Sequence, residues 1–205
     1  MVAEPAFRKG SVADRVASFV RIVTVPPLMV AVILTVLYAV RGALFASLSH
    51  LVFSVLFLAV VPGLAYPLSY LIPAIRRKGR SGQRSLAMYL SAVGYLSVVL
   101  YGILAQCTEG LRIIHLTYLL SVLLLLVLNK LLHVRASGHA CSVSGPILLL
   151  CIYVGAVGVA VGILLWMLIL WASVRMRHHT PREYLIGSTV PILAYVLSVL
   201  FFMAV

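Results

Sequence analysis

Acidic residues are almost missing from this chain: four of its 205 residues are Asp or Glu. Charged side chains of both signs fill 10% of positions, against roughly 25% in a soluble domain. So thin a supply excludes a water-exposed surface on all sides. The shortage of carboxylates leaves no obvious metal cage, and His178-His179 is the only adjacent histidine pair. Cys107, Cys141 and Cys151 form no CxxC pair and read as small apolar fillers. The period-two alternation of an outer-membrane barrel is absent too.

What is present is apolar residue in long blocks. Hydrophobic residues make up 63% of the chain. No Asp, Glu, Lys or Arg falls in 25–40, 42–74, 85–108, 113–129 or 136–174. A hydrocarbon core about 30 Å thick needs roughly 20 such residues per helix. The expected fold is therefore all-α, a polytopic transmembrane bundle of six or seven crossings, seven favoured. The expected helices cover 23–46, 49–73, 86–106, 112–132, 140–157, 160–173 and 184–204. One helix from Ser144 to Trp171 would reach about 42 Å, so a turn is placed in Gly155-Ala-Val-Gly158, giving two shorter helices. No cleavable signal sequence is evident. Residues 1–22 form a polar interfacial segment before a retained first helix, and 23–205 form one transmembrane domain.

The net charge of +12 does not point to nucleic acid, because the basic residues sit at the ends of apolar blocks. With a cytoplasmic N-terminus, fourteen of the sixteen Lys and Arg fall on the cytoplasmic side, and only Arg41 and Arg112 fall opposite. This layout brings three basic segments to one face: 76–84, 130–139 and 175–183. Arg135 and His139 flank Ser137-Gly138, where a helix start would aim backbone N–H groups at an anion and glycine would let it approach. His179 and Glu183, at i,i+4, can share a helical face, where the carboxylate would orient the imidazole. Two histidines, several arginines, a serine and one carboxylate suit phosphoryl transfer through a phosphohistidine. The same spacing also allows plain surface histidines, with Arg76-Arg77-Lys78 as a topology anchor. His50 and His115 lie away from these clusters and read as structural.

The segments Arg135-Ala-Ser-Gly-His139 and Arg175-Met-Arg-His-His179-Thr-Pro-Arg-Glu183-Tyr-Leu-Ile-Gly187 resemble signatures of the type 2 phosphatidic acid phosphatase superfamily of membrane lipid phosphatases. The likeness covers roughly residues 50–200. It implies metal-independent hydrolysis of a lipid phosphate or an isoprenoid diphosphate, with no cofactor. By resemblance His179 is the nucleophile, Glu183 its orienting partner and His139 the acid for the leaving group. Arg135, Ser137, Gly138, Arg175 and Arg84 hold phosphate. The family pattern has proline at position 136, arginine at 173 and aspartate at 183, where this chain has Ala, Ser and Glu. Divergent prokaryotic members look closer, with a basic residue at the place of Arg135. The implied location is the cell membrane, with the site on the basic face, read as cytoplasmic. A lipid phosphotransferase and a non-catalytic anionic-lipid binding or transport protein are the alternatives.

Overall fold

The computed structural model describes residues 11–176 and 180–204. Helix α1, Val12–Val23, starts at Ser11, whose hydroxyl accepts the Asp14 amide while the Asp14 carboxylate accepts the Ser11 amide. This reciprocal pairing satisfies two helix-end donors at once. The chain then turns by 62° into α2, Pro26–Val40, which opens on two prolines, residues suited to a first helical turn. Helices α3 (Leu48–Leu71), α4 (Gly79–Leu104) and α5 (Glu109–Leu131) follow. Next come α6 (Gly138–Val154), α7 (Ala156–Arg175) and α8 (Pro181–Ala204). A π-helical turn at Leu56–Val60 carries α3 into Pro62, the kind of local widening that accommodates a proline within a helix.

The structure is an all-α bundle suited to a membrane, but the expected seven crossings require correction. Among the described residues five helices are long and apolar enough to span: α3, α4, α5, α7 and α8. A sixth exists only if the bent α1–α2 pair is one span. The 15 residues of α2 and 17 of α6 reach only about 22 and 25 Å. Apolarity alone did not reveal this shortfall, because α6 is apolar by being enclosed in protein. It packs against α2, α7 and α8, and of its residues only Ile152 is exposed. A helix apolar on every side is a buried one. The basic stretch 76–84 also differs from expectation. It is helical over Pro73–Arg77 and again from Gly79 onward.

One core joins Leu34 and Leu37 of α2, Leu58 of α3, Val98 of α4, Leu111 and Ile114 of α5, and Leu149 of α6. A second ties α1 to the bundle, through Ala17 and Val20 against Ala140, Val143, Ala172 and Tyr184. Val12, Phe19 and Ile22 stay exposed on α1, so this helix is apolar toward both the bundle and its surroundings. Outward Leu100 and Leu164 present the kind of surface that lipid tails cover. The far end is closed by Arg41 Nε, which donates to Tyr153 O at 2.9 Å, and by Arg112 over the Phe202 ring at 5.3 Å. The two cations expected opposite the basic clusters thus share one end of the bundle.

The α6–α7 turn falls at Gly155, within the stretch read as a break. Its φ of 73° is a conformation natural to glycine. Beyond it, a Cβ on Gly158 would collide with the Leu150 carbonyl, and one on Gly162 would lie 2.7 Å from Cys151 Sγ. The hairpin is close because these positions have no side chain. Gly158→Ala should therefore destabilise the protein by about 1–3 kcal/mol, as overpacking does. Gly42→Ala, where a Cβ meets nothing within 4 Å, should stay within about 0.5 kcal/mol of wild type. Thermal unfolding in one detergent compares the two.

Candidate functional site

Helices α6 and α8 both begin at the basic end, and their first turns touch. Ser137 caps α6, its Oγ accepting the Ala140 amide at 3.1 Å. Its own backbone N–H donates to Glu183 O at 2.9 Å. One turn along α8, Gly187 packs under this junction. A Cβ there would strike Ser137 O and lie 3.0 Å from Ser137 N. Two segments separated in sequence, 135–139 and 180–187, are thereby held together. Gly138 is different, since a Cβ would make only an ordinary 3.5 Å contact with Leu125. Packing does not demand glycine at 138 as it does at 187.

Ser137 is nearly fully buried, at 1% exposure, His139 is partly buried in the first turn of α6, and Arg135 is exposed in the preceding linker. Asn129 fixes that linker from α5. Its Oδ1 accepts the Ala136 amide at 3.0 Å, and its Nδ2 donates to the Ala136 and Leu125 carbonyls. Glu183 belongs to a second reciprocal cap: Thr180 N donates to Glu183 Oε2 at 3.1 Å, and Glu183 N donates to Thr180 Oγ1 at 3.2 Å. The Thr-Pro-Arg-Glu spacing carried this signal, with threonine at the cap, proline at the first position and glutamate at the third. His179, with Arg177 and His178, lies outside the described residues.

Arg175 ends α7 and faces α1. Its Nε donates to Asp14 Oδ1 at 2.9 Å, and its Nη2 donates to Ser11 Oγ at 3.0 Å. These bonds use two of its five N–H donors, so the other edge of the guanidinium keeps donors for an anion. Position 173 cannot play the same part, because Ser173 is fully buried. Arg84 is exposed on α4, with Arg21 within electrostatic reach of it and of Arg80. Sequence reading missed Ser11, Asp14, Arg21 and Asn129. Only the Ser11-to-Asp14 spacing offered a local signal, as a capping pair.

A cavity of about 90 Å³ lies between α2, α3, α4 and α6, lined by Pro26, Pro62, Tyr66, Ser91, Tyr95 and Ser142. Ser142 is one turn beyond Gly138, whose carbonyl accepts from its hydroxyl at 2.9 Å. The cavity therefore reaches the wall of the α6 first turn. Away from this end, fully buried His115 places Nε2 2.9 Å from Ser54 Oγ, a polar tie between α5 and α3. Among the described residues no three His, Cys, Asp or Glu side chains converge as metal ligands. No known protein family, curated protein or solved structure matches the chain.

The Asp14–Arg175 contact is pH-sensitive in a defined direction. Desolvation raises the Asp14 carboxyl, but the Ser11 amide and hydroxyl and the Arg175 guanidinium outweigh it and bring it below its ordinary 3.8. A depressed carboxyl contributes above its ordinary value, and the contribution is lost as pH falls through the folded value. Docking of α1 should thus be constant near neutrality and loosen only below about pH 4. Asp14→Asn should loosen it at neutral pH. Hydrogen exchange over residues 12–20 reads both, and an Asp14→Asn variant as protected as wild type would show the contact to be idle.

Proposed function

We propose that this protein is a membrane phosphatase that hydrolyses a lipid phosphate or diphosphate through a phosphohistidine, without a metal. The observation that carries the reading is the Ser137 N–H bond to Glu183 O at 2.9 Å. It brings together the two segments whose residues suit phosphoryl transfer. Two helix N-termini, each with a positive partial charge, then share one place, which favours an anion. The Ser137 hydroxyl accepts from Ala140 and keeps its own proton to donate to a phosphate oxygen. Gly138, whose missing side chain packing does not require, leaves the backbone open to approach.

In the proposed reaction His179 attacks phosphorus with an imidazole lone pair as the bond to the lipid oxygen breaks. His139 gives that oxygen a proton, so the product leaves as an alcohol or as the shorter phosphate. Water then attacks the phosphohistidine, gives its proton to the now neutral His139, and releases inorganic phosphate. Arg135 and the outward edge of Arg175 offset the charge on the equatorial oxygens. The lipid tail stays in the bilayer while its headgroup meets the basic end. Positive-inside bias puts that end in the cytoplasm, with the protein in the cell membrane.

Phosphate release from phosphatidic acid, phosphatidylglycerol phosphate and polyprenyl diphosphates, with chelator present, tests the reading. His179→Ala should abolish turnover, and wild-type turnover by a folded variant would remove the nucleophile. His139→Ala should lose about 10²–10⁴-fold on an alkyl ester and much less on an activated aryl phosphate. Gly138→Ala should keep wild-type thermal stability and lose turnover. Gly187→Ala should lose stability first, because its Cβ meets backbone.

A further inference from the structure

Among the described residues no carboxylate answers Arg21. Of the acidic residues among those described, Asp14 binds Arg175, Glu183 caps α8, and Glu109 starts α5 at the far end. The neighbours within electrostatic reach of Arg21 are two more arginines, Arg80 and Arg84, and the Tyr66 hydroxyl. Its Nη1 is shielded from solvent and has no hydrogen-bond partner among the described residues. A sheltered guanidinium arm without an acceptor is costly, and two neighbouring positive charges add to the cost. A phosphate in that space would supply acceptors and counter-charge together.

The cluster also has a location that suits a lipid. On α4, Arg80 is followed four residues on by Arg84 and Arg84 three residues on by Ala87, and the same spacing of four continues to Ser91 and Tyr95. The last three residues line the 90 Å³ cavity, as does Tyr66. Arg21 closes the same corner from α1, five residues before Pro26, another lining residue. The link between cluster and cavity is Tyr66, which lines the cavity and lies within electrostatic reach of Arg21. That volume holds about three waters, enough for the atoms next to a headgroup phosphate but not for a chain, which stays among the lipids.

We propose that Arg21, supplied by α1, completes with Arg80 and Arg84 a binding site for the uncapped phosphate or diphosphate headgroup of a membrane lipid. Three guanidiniums favour a headgroup whose terminal oxygens are all anionic. They disfavour a choline-capped one, whose cation would meet like charge. Hydrolysis is not required for this site; Arg84 is the member already expected to hold phosphate by resemblance, whereas Arg21 lies in neither segment to which the chemistry was assigned.

The test is binding to the full-length chain in neutral detergent, by calorimetry. The probes are a prenyl phosphonate, a methylene-bridged prenyl bisphosphonate, a phosphocholine lipid and inorganic diphosphate. The two phosphonates should bind, and the phosphocholine lipid should bind at least about tenfold more weakly. Arg21→Gln should weaken phosphonate binding about tenfold, Arg21→Lys should recover part of it, and the ligand-free melting temperature should not fall. Should Arg21→Gln not fold, Arg80→Gln at an exposed position should give the same loss. Unchanged phosphonate affinity in a folded Arg21→Gln or Arg80→Gln variant would overturn the site. Equal affinity for the phosphocholine lipid would overturn its selectivity, and equally tight inorganic diphosphate would make it a free-anion site. Phosphonate binding with no phosphate release from phosphatidic acid, phosphatidylglycerol phosphate or polyprenyl diphosphates would sink the phosphatase reading and leave this one intact. Hydrolysis with an unchanged KM in Arg21→Gln would do the reverse.

Discussion

A single backbone hydrogen bond, from Ser137 N to Glu183 O, holds the basic end of the bundle in its arrangement. It joins the start of the enclosed helix α6 to the start of α8. Both helices arrive with their own caps, the Ser137 hydroxyl on one and the Thr180–Glu183 pair on the other. The junction therefore does not have to repair frayed ends. Gly187 sets how near the two backbones come, because any side chain there would occupy the place of the Ser137 carbonyl. The result is two helix N-termini side by side, each carrying positive partial charge, in a chain with few carboxylates to balance them.

The long apolar blocks made the helices and the sorting of cations legible. Arg41 and Arg112 were read as lying opposite the rest, and both are found together at the end away from the α6–α8 junction. The turn near Gly155 was legible because one helix through it would have been too long. The number of crossings was not, since the apolar character of α6 reports burial by neighbours and cannot be told from burial by lipid. The start of α4 was masked by charge. Residues 79–84 look like a loop by composition, yet they form the first turns of a helix.

At the site, Ser137, Gly138 and Gly187 could be picked out because each has a short-range signal: a cap, a small residue, a fixed spacing. Arg175 could be picked out, but its partner could not. Asp14 lies 161 positions away, and nothing local in either segment encodes the meeting. The pairing follows from α1 lying across the ends of α6 and α7, which in turn follows from Ala17 and Val20 finding Ala140, Val143 and Ala172. Arg21 was hidden for the same reason. Small apolar contacts place α1, and its charged residues are carried into position by them.

The enclosure of α6 has a bearing on how the protein meets different membranes. Bilayers vary in thickness, and spanning helices answer by tilting or by drawing the lipid inward or outward. Here that adjustment falls on α3, α4, α5, α7 and α8, which have the length to reach both surfaces. A helix wrapped by α2, α7 and α8 has almost no lipid beside it to respond to. Its first turn can keep one depth and one orientation while the outer wall shifts around it.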